Sequence, residues 1–337
     1  MKKKFFAVFA LFAFLETSGC ARTPQSGRIK VRLAVGGQNQ MVYLPTTLTE
    51  ELGFYKAEGV DVELQDFAGG SKALQALVGG SADVVSGFYD HTIQMAAEGR
   101  ELVAFVTMLR FPGLVFVTAP QKAGEIVKIE DMKGRVAGVT TAGSSSQMLM
   151  TYLLQRHGVP VDSVSVTAIG SAATAIAAIE RAKVDAGMLA DPAFTLVMKR
   201  NPSARVLADF RTAAGVQDAI GAHAYPASVL YAPRAWVDAH RDVTARLARA
   251  VRRTLEWMQT HTPEEIAAKT PPSLRGEDEG LYVDALRSSM PMFSPDGVMT
   301  PDGAEAVHKL LAGSMDKVRG ATINLSNTYT NEFINGR

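Results

Sequence analysis

Apolar and polar residues alternate strictly from Val60 to Gln65, with Val60, Val62 and Leu64 set against Asp61, Glu63 and Gln65. That period of two predicts a half-buried strand. Gly69-Gly70-Ser71 breaks it. Leu74, Leu77 and Val78 then recur at helical spacing, with Ser71 placed to cap the helix start. Gly79-Gly80 ends that helix, and Ala82-Asp83-Val84-Val85 opens a second strand. The stretch from Gly53 to Val85 is therefore one βαβ unit, with a helix N-terminus open at the carboxyl end of its first strand. Ligands of open α/β sheets bind at that edge.

The same grammar runs on both sides of this unit. Val31, Leu33 and Val35 predict a strand that ends in the polar loop Gly36 to Gln40, and a helix follows from about Pro45 to Leu52. The strand from Ala82 to Ser86 leads into Gly87-Phe88-Tyr89-Asp90-His91, a further loop. A helix through Ile93, Ala96 and Ala97 leads to strands at Leu102 to Val106 and Leu114 to Val117. The charged run from Gln121 to Lys133 interrupts the pattern, so a lobe boundary is expected near Thr118. A second α/β set follows: a strand at Arg135 to Val139, the loop Thr140 to Ser146 opening a helix, a strand through Val164, Val166 and Ala168, an Ala-rich helix after Gly170-Ser171, and a strand closed by Ala190-Asp191-Pro192. Ser71 to Asp83 and Ser171 to Asp185 span matching Ser-helix-Asp units. Val229 to Ala232, between Pro226 and Pro233, is the expected return crossing. Amphipathic helices are expected at Asp242 to His261, near Asp278 to Met290 and near Asp302 to Val318. Arg246, Arg249, Arg252 and Arg253 lie mostly off the apolar stripe of the first of these, and a solvated face is the favoured reading.

The fold expected is thus α/β: a clamshell of two α/β lobes joined by two crossover strands. Residues 29–118 and 229–337 form lobe 1, and residues 119–228 form lobe 2. With 337 residues, 47% of them hydrophobic, the chain can fill two such cores.

The N-terminus has a different character. Lys2, Lys3 and Lys4 precede the apolar run Phe5 to Leu15, which is too short to span a bilayer. Thr17-Ser18-Gly19-Cys20 follows. Residues 1–19 read as a signal peptide, Cys20 as a lipid-attachment site and residues 20–28 as a polar tether. Thr17 stands where a bacterial lipobox usually has Leu, so simple cleavage remains the other reading. Either reading exports the protein. Cys20 is the sole cysteine, so no internal disulfide can form. The formal net charge of +1, with no long block of one sign, argues against a nucleic-acid partner.

Four loops converge between the lobes on this reading: Gln38 to Gln40, Gly69 to Ser71, Phe88 to Asp90, and Thr140 to Ser146, with Asp191 at the rim. Two are helix starts with Gly and Ser. Their free N–H groups and positive dipole suit an anion such as a carboxylate, sulfonate or phosphate. Phe88 and Tyr89 either stack on a ligand or belong to the core. Asp90 either pairs with a ligand amine or caps the next helix, and capping is favoured. Arg110 reads as a surface residue rather than an anion clamp.

GFYKAEGVDVEL followed by GGSKALQALVGGSADV resembles the signature of the nitrate/sulfonate/taurine group of periplasmic substrate-binding proteins, a signature shared with pyrimidine-precursor binders. GRVAGVTTAGSSS, KVDAGMLADP and the tail LSNTYTNEF resemble further elements of that group. The resemblance implies a type II binding-protein fold that serves an ABC permease in the membrane. It places a ligand between the lobes at Gln38, Gln40, Gly70, Ser71, Phe88, Tyr89, Asp90, Thr141, Ser144 and Ser145.

The expected function is capture of a small organic ligand, a sulfonate or carboxylate anion, by a monomer that delivers it to the permease. A pyrimidine-precursor binder, or an enzyme on the same fold as in menaquinone biosynthesis, is the alternative. Six scattered histidines without metal-ligand spacing, no G-x-S-x-G elbow and no P-loop argue against catalysis. No cofactor or metal is implied.

Overall fold

The computed structural model describes residues 29–334. The signal segment, the tether and Cys20 lie outside the described residues, as do the last three residues of lobe 1.

The chain opens with β1 (Ile29–Val35), α1 (Leu44–Glu51), α2 (Phe54–Ala57), β2 (Val60–Asp66), α3 (Gly70–Val78), β3 (Val84–Phe88), α4 (Asp90–Ala97) and β4 (Leu102–Thr107). β1 pairs in parallel with β2 on one side and β3 on the other. β2 is an edge strand and alternates buried and exposed residues. β3 and β4 are buried on both faces and read as apolar runs, as expected of a sheet with helices on both sides.

The chain then leaves the first sheet. β5 (Leu114–Thr118), β6 (Val136–Val139), α5 (Ser145–Arg156), β7 (Ser165–Ala168), α6 (Ala172–Glu180), β8 (Ala186–Ala190), α7 (Ala193–Arg200), β9 (Val206–Asp209) and α8 (Ala213–Ile220) build a second sheet. The return passes into β10 (Ser228–Pro233), then α9 (Arg234–Ala239), α10 (Arg241–Thr260), α11 (Pro263–Lys269), α12 (Pro272–Arg275), α13 (Glu279–Ser289) and α14 (Pro301–Ser314).

The sheets have orders β2-β1-β3-β10-β4 and β7-β6-β8-β5-β9. They are the same order. In each sheet the fourth strand is the one that has just arrived from the other lobe, and it runs antiparallel to both neighbours. This topology corrects the expected boundary. β5 belongs to the second sheet, so the first crossing is the segment 108–113 and not the neighbourhood of Thr118. The second crossing is completed before β10, which lies inside the first sheet. The two crossings run side by side: the Gly113 N–H donates to Phe210 O at 3.0 Å and the Tyr225 N–H to Arg110 O at 3.1 Å. Gly113 has a φ of +67°, which a side chain would strain, and an added Cβ would meet Met292 Sδ at 2.4 Å.

One apolar core runs from the first sheet through the crossings to the α5 side of the second sheet. The opposite side of the second sheet has its own cluster around Val115, Val117, Ile179, Leu189 and Val197. β5 serves both cores, since Phe116 points one way and its neighbours the other. Seven elements escape the sequence pattern: α2, α7, β9, α8, α9, α11 and α12. The arginines of α10 are less free than a solvated face. Arg249 and Arg253 both reach the Glu58 carboxylate, Arg246 donates to Glu58 O, and Arg252 donates to Ile334 O.

Candidate ligand-binding cleft

The carboxyl ends of β1, β3 and β6 face one another across the lobe boundary. Between them lies a cavity of about 20 Å³, bordered by Gln40, Tyr43, Gly70, Phe88, Ser144 and Ser145 among others, close to the room one water needs. Gln40 and Thr140 also border a narrow space of about 10 Å³ under Gly170 to Ala172. Ala172 and Ala193 in turn border a groove of about 670 Å³ between α7 and α12–α13. The first two spaces share Gln40 and Thr140 as lining, and the second and third share Ala172 and Ala193.

Glycines let the backbones approach here. An added Cβ on Gly36 would lie 2.8 Å from Gly70 Cα, and one on Gly69 would lie 2.6 Å from Thr141 Oγ1. The lobes are therefore in contact at the start of α3. Ser71 Oγ and Thr141 Oγ1 share a hydrogen bond of 2.8 Å across the boundary. Ser71 makes no capping bond to its own helix; its hydroxyl is spent on the other lobe. Ser144 and Ser146 bond to each other at 2.8 Å and both bond to Thr140, at 3.0 and 3.1 Å. This buried hydroxyl cluster sits at the N-terminus of the twelve-residue α5.

Asp90 is the first residue of α4. Tyr89 occupies the cap position, and neither makes a side-chain capping bond. Ser145 Oγ donates instead to Asp90 Oδ1 at 2.8 Å, a second bond between the lobes. Asp90 Oδ2 is buried and has no hydrogen-bond partner among the described residues. Burial pushes the Asp90 carboxyl up to about 7, against the opposing donation from Ser145 and the His91 N–H. Burial likewise pushes the His91 imidazole down to about 4. Tyr43 is pushed up beyond the usual phenol range by burial and by the Asp90 charge.

The remaining expected residues divide. Gln40 borders the cavity and donates from Nε2 to Gly36 O at 2.9 Å. Gln38 is half-exposed, with its N–H donated to Asp66 Oδ1 at 2.7 Å. Phe88 borders the cavity and packs edge-on against Tyr43, with ring centroids 6.2 Å apart. Tyr89 points the other way. It hydrogen-bonds with Thr328 and packs on Tyr329 inside lobe 1, so it is not placed to touch a ligand. The chain turns from strand to helix between Phe88 and Tyr89, and the sequence does not say which of the two aromatics faces the cleft.

Asp191 is also committed elsewhere. Its Oδ1 accepts from Thr195 N–H and Oγ1 at 3.1 and 2.6 Å, and its Oδ2 accepts from Ser289 Oγ at 2.9 Å and Arg211 Nη1 at 3.1 Å. Its backbone O accepts from the Met41 N–H at 2.8 Å. Asp191 ties the lobes together at the rim and has no lone pair to spare for a ligand. Tyr43, Gly36 and Leu114 border the cavity without having been singled out. A signal existed for Tyr43, an aromatic just beyond the loop that ends β1. Among the described residues no group of three or more His, Cys, Asp or Glu is gathered to hold a metal ion, and no helix is long and apolar enough to cross a membrane.

Residues 40–266 match the family described as NMT1/THI5 like. A solved structure of a protein from Bordetella bronchiseptica RB50 is 37% identical, with a TM-score of 0.88 over 92% of this chain and 96% of that one. The protein YtlA of Bacillus subtilis (strain 168) is 21% identical over 93% of this chain and 90% of its own length. The alkanesulfonate-binding protein SsuA of Xanthomonas axonopodis pv. citri, solved with MOPS bound, is 16% identical, with a TM-score of 0.69 over 89% of this chain and 98% of that one. The likeness to SsuA is one of fold. The chain belongs to the NMT1/THI5-like family, and its two lobes have the fold of the periplasmic substrate-binding proteins.

Proposed function

We propose that the protein is the solute-binding component of an ABC importer. It captures a small organic ligand with an anionic group between its lobes and delivers it to a membrane permease. The observation that carries this reading is the meeting of two helix N-termini across the boundary, α3 at Gly70-Ser71 and α5 at Ser144 to Ser146. Gly70 at the start of α3 and Ser144 to Ser146 at the start of α5 border one space, and helix starts present free N–H groups. Two adjacent crossings, at 108–113 and 221–227, give the lobes a common axis for opening. A ligand would enter past Gln40, Thr140, Ala172 and Ala193. Gln40, Gly70, Ser71, Phe88, Asp90, Thr141, Ser144 and Ser145 form the site, with Gln38 at its edge.

Binding is favoured over catalysis by what the serines touch. Among the described residues Ser144, Ser145 and Ser146 bond to hydroxyls and to Asp90, and no histidine nitrogen reaches them. The family membership and the export segment at residues 1–19 support work outside the cytoplasm, with Cys20 as the lipid anchor and the chain acting as a monomer.

A thermal-shift panel of sulfonates, aromatic carboxylates, pyrimidines and inorganic oxyanions tests this. A true ligand at about a hundred times its Kd stabilises by about 2.7 kcal/mol, several degrees in Tm. The Ser71→Ala/Ser144→Ala double variant should lose that shift. A panel without a hit, or a hit that is consumed on incubation, would overturn the reading.

A further inference from the structure

One carboxyl group of lobe 1 is covered by lobe 2 and has no cation beside it. Asp90 is 1% exposed. Its Oδ1 accepts from Ser145 Oγ of lobe 2 at 2.8 Å, and its Oδ2 is buried with no hydrogen-bond partner among the described residues. A buried carboxylate needs a counter-charge or a full set of donors, and Asp90 has neither. Two other carboxylates that join the lobes each have a cation: Asp191 has Arg211 and Asp278 has Lys199.

The elements packed around Asp90 bring no charge to it. Tyr43 faces it from the turn before α1, Tyr225 from the second crossing and Tyr231 from β10, and burial raises all three phenols. His91, the next residue of α4, is pushed down to about 4 by burial and is neutral above that pH. The start of α5 brings hydroxyls, and β4 has no ionisable side chain. α14 and α15 (Asp316–Arg319) also pack on α4. Lys317 of α15 pairs with Glu98 beyond the far end of α4, and Asp302, Glu305, His308 and Lys309 of α14 do not act on the Asp90 carboxyl. Burial therefore prevails and pushes that carboxyl up to about 7.

Asp90 and His91 are covered by different parts of the molecule. His91 lies under its own lobe: an added Cβ on Gly70 would lie 3.0 Å from its Cε1, and Tyr231 Oη is 3.3 Å from its Nδ1. Asp90 meets lobe 2 through Ser145. Parting the lobes exchanges Ser145 for water at Asp90 and leaves His91 covered.

We infer that closing the lobes takes up one proton at Asp90 and that opening them releases it. The inference rests on the proposed opening about the two crossings and requires no particular ligand. The closed form then gains on the open form as pH falls from about 7 to about 4, by up to about tenfold in the closed-to-open ratio per pH unit. Above about 7 neither form holds the proton, and the ratio stops changing. Any ligand that closes the lobes should draw in a proton, and reopening at a permease should return it.

The test is a carbon-13 NMR titration of the Asp90 carboxyl in the parent protein and in Gly69→Trp. An added Cβ at Gly69 would lie 2.6 Å from Thr141 Oγ1 of lobe 2, and the backbone there is extended, so a large side chain wedges the boundary without straining the chain. Small-angle scattering checks that the lobes have parted. Thr141→Trp sets the wedge on the other lobe if the first variant misfolds or stays closed. The Asp90 midpoint should lie near 7 in the parent and at least about one pH unit lower in the wedged protein. In scattering, the parent's lobes should part as pH rises from 5 to about 7.5, and those of Asp90→Asn should keep one separation throughout.

The inference is overturned if the two midpoints coincide, if the parent's lobe separation ignores pH, or if Asp90→Asn follows pH as the parent does. Each of those results leaves ligand capture standing, since the ligand panel judges it separately. If neither wedge parts the lobes, opening about the crossings fails and the inference falls with it.

Discussion

The two lobes share a strand order and differ in what they bring to the cleft. Each sheet reads second-first-third-return-fourth, and each presents a helix start at the carboxyl ends of its strands. Lobe 2 contributes Thr140, Thr141 and Ser144 to Ser146, small hydroxyls that bond to one another and across the boundary. Lobe 1 contributes Gly36, Gly70, Tyr43, Phe88 and Asp90: close backbone, aromatic faces and a buried carboxylate. A duplicated frame fixes where loops converge, and the side chains set at those places decide what each half recognises.

The largest test of this contrast is pH. Asp90 has its carboxyl raised to about 7 in the closed protein, from the usual value near 3.8. Between those values the folded state holds a proton that the unfolded chain has lost. This group's contribution to stability therefore falls as pH rises from about 4 to 7. His91 works in the opposite sense. Its imidazole is lowered to about 4 from 6.5, so its contribution rises with pH from about 4 to 6.5. The two oppose each other in the parent protein. Asp90→Asn should uncover the His91 dependence, and the variant should gain on the parent by up to about 1.4 kcal/mol per pH unit across that window. Urea denaturation at half-unit steps measures the difference. A difference independent of pH would mean that Asp90 is not held protonated.

Backbone approach should separate the lobes next. Gly36→Ala forces a Cβ to within 2.8 Å of Gly70 Cα, main chain that cannot yield, whereas Gly138→Ala meets only the Ile169 side chain, with Cδ1 at 2.7 Å and Cγ2 at 3.1 Å. The lobe 1 change should cost about 2–3 kcal/mol and abolish closure; the lobe 2 change should cost about 1 kcal/mol or less. Equal losses in thermal unfolding would show that the tight contact at α3 is not rigid.

A smaller effect is expected at the boundary itself. Ser71→Ala and Thr141→Val should each cost about 1 kcal/mol, and a double-mutant cycle should return most of that as coupling. Additive losses would mean that the two hydroxyls do not bond in solution. The smallest effect is at the rim. Lys199 in lobe 2 and Asp278 in lobe 1 form an ion pair of 2.8 Å between exposed side chains. Lys199→Ala should change stability by about 0.5 kcal/mol or less and do so less at high salt. A larger loss would make the rim a true latch.

Local chemistry made much of this molecule legible in its sequence. Alternation, Gly-Gly breaks and Ser at helix starts located β1 to β3, α3, β6, α5 and the loops between them, because period and cap are short-range properties. Those same loops hold Gln40, Gly70, Ser71, Phe88, Thr141, Ser144 and Ser145, which the fold gathers at one boundary. Other features depended on long-range pairing. β5 looks like any apolar strand, and only its register against β8 and β9 puts it in the second sheet. Tyr89 and Phe88 are neighbours of the same kind, but Phe88 ends β3 opposite Ser228 whereas Tyr89 already has helical backbone at the cap of α4. Asp191 was placed at the rim by its loop, yet Ser289 and Arg211, far along the chain, take up its oxygens. Asp90 shows the division most clearly. The sequence by itself determined that a carboxylate would stand at the end of β3. Only the tertiary structure removed its water, gave one oxygen to Ser145 and left the other without a partner, because burial and partnership are properties of what folds against a residue and not of the residue.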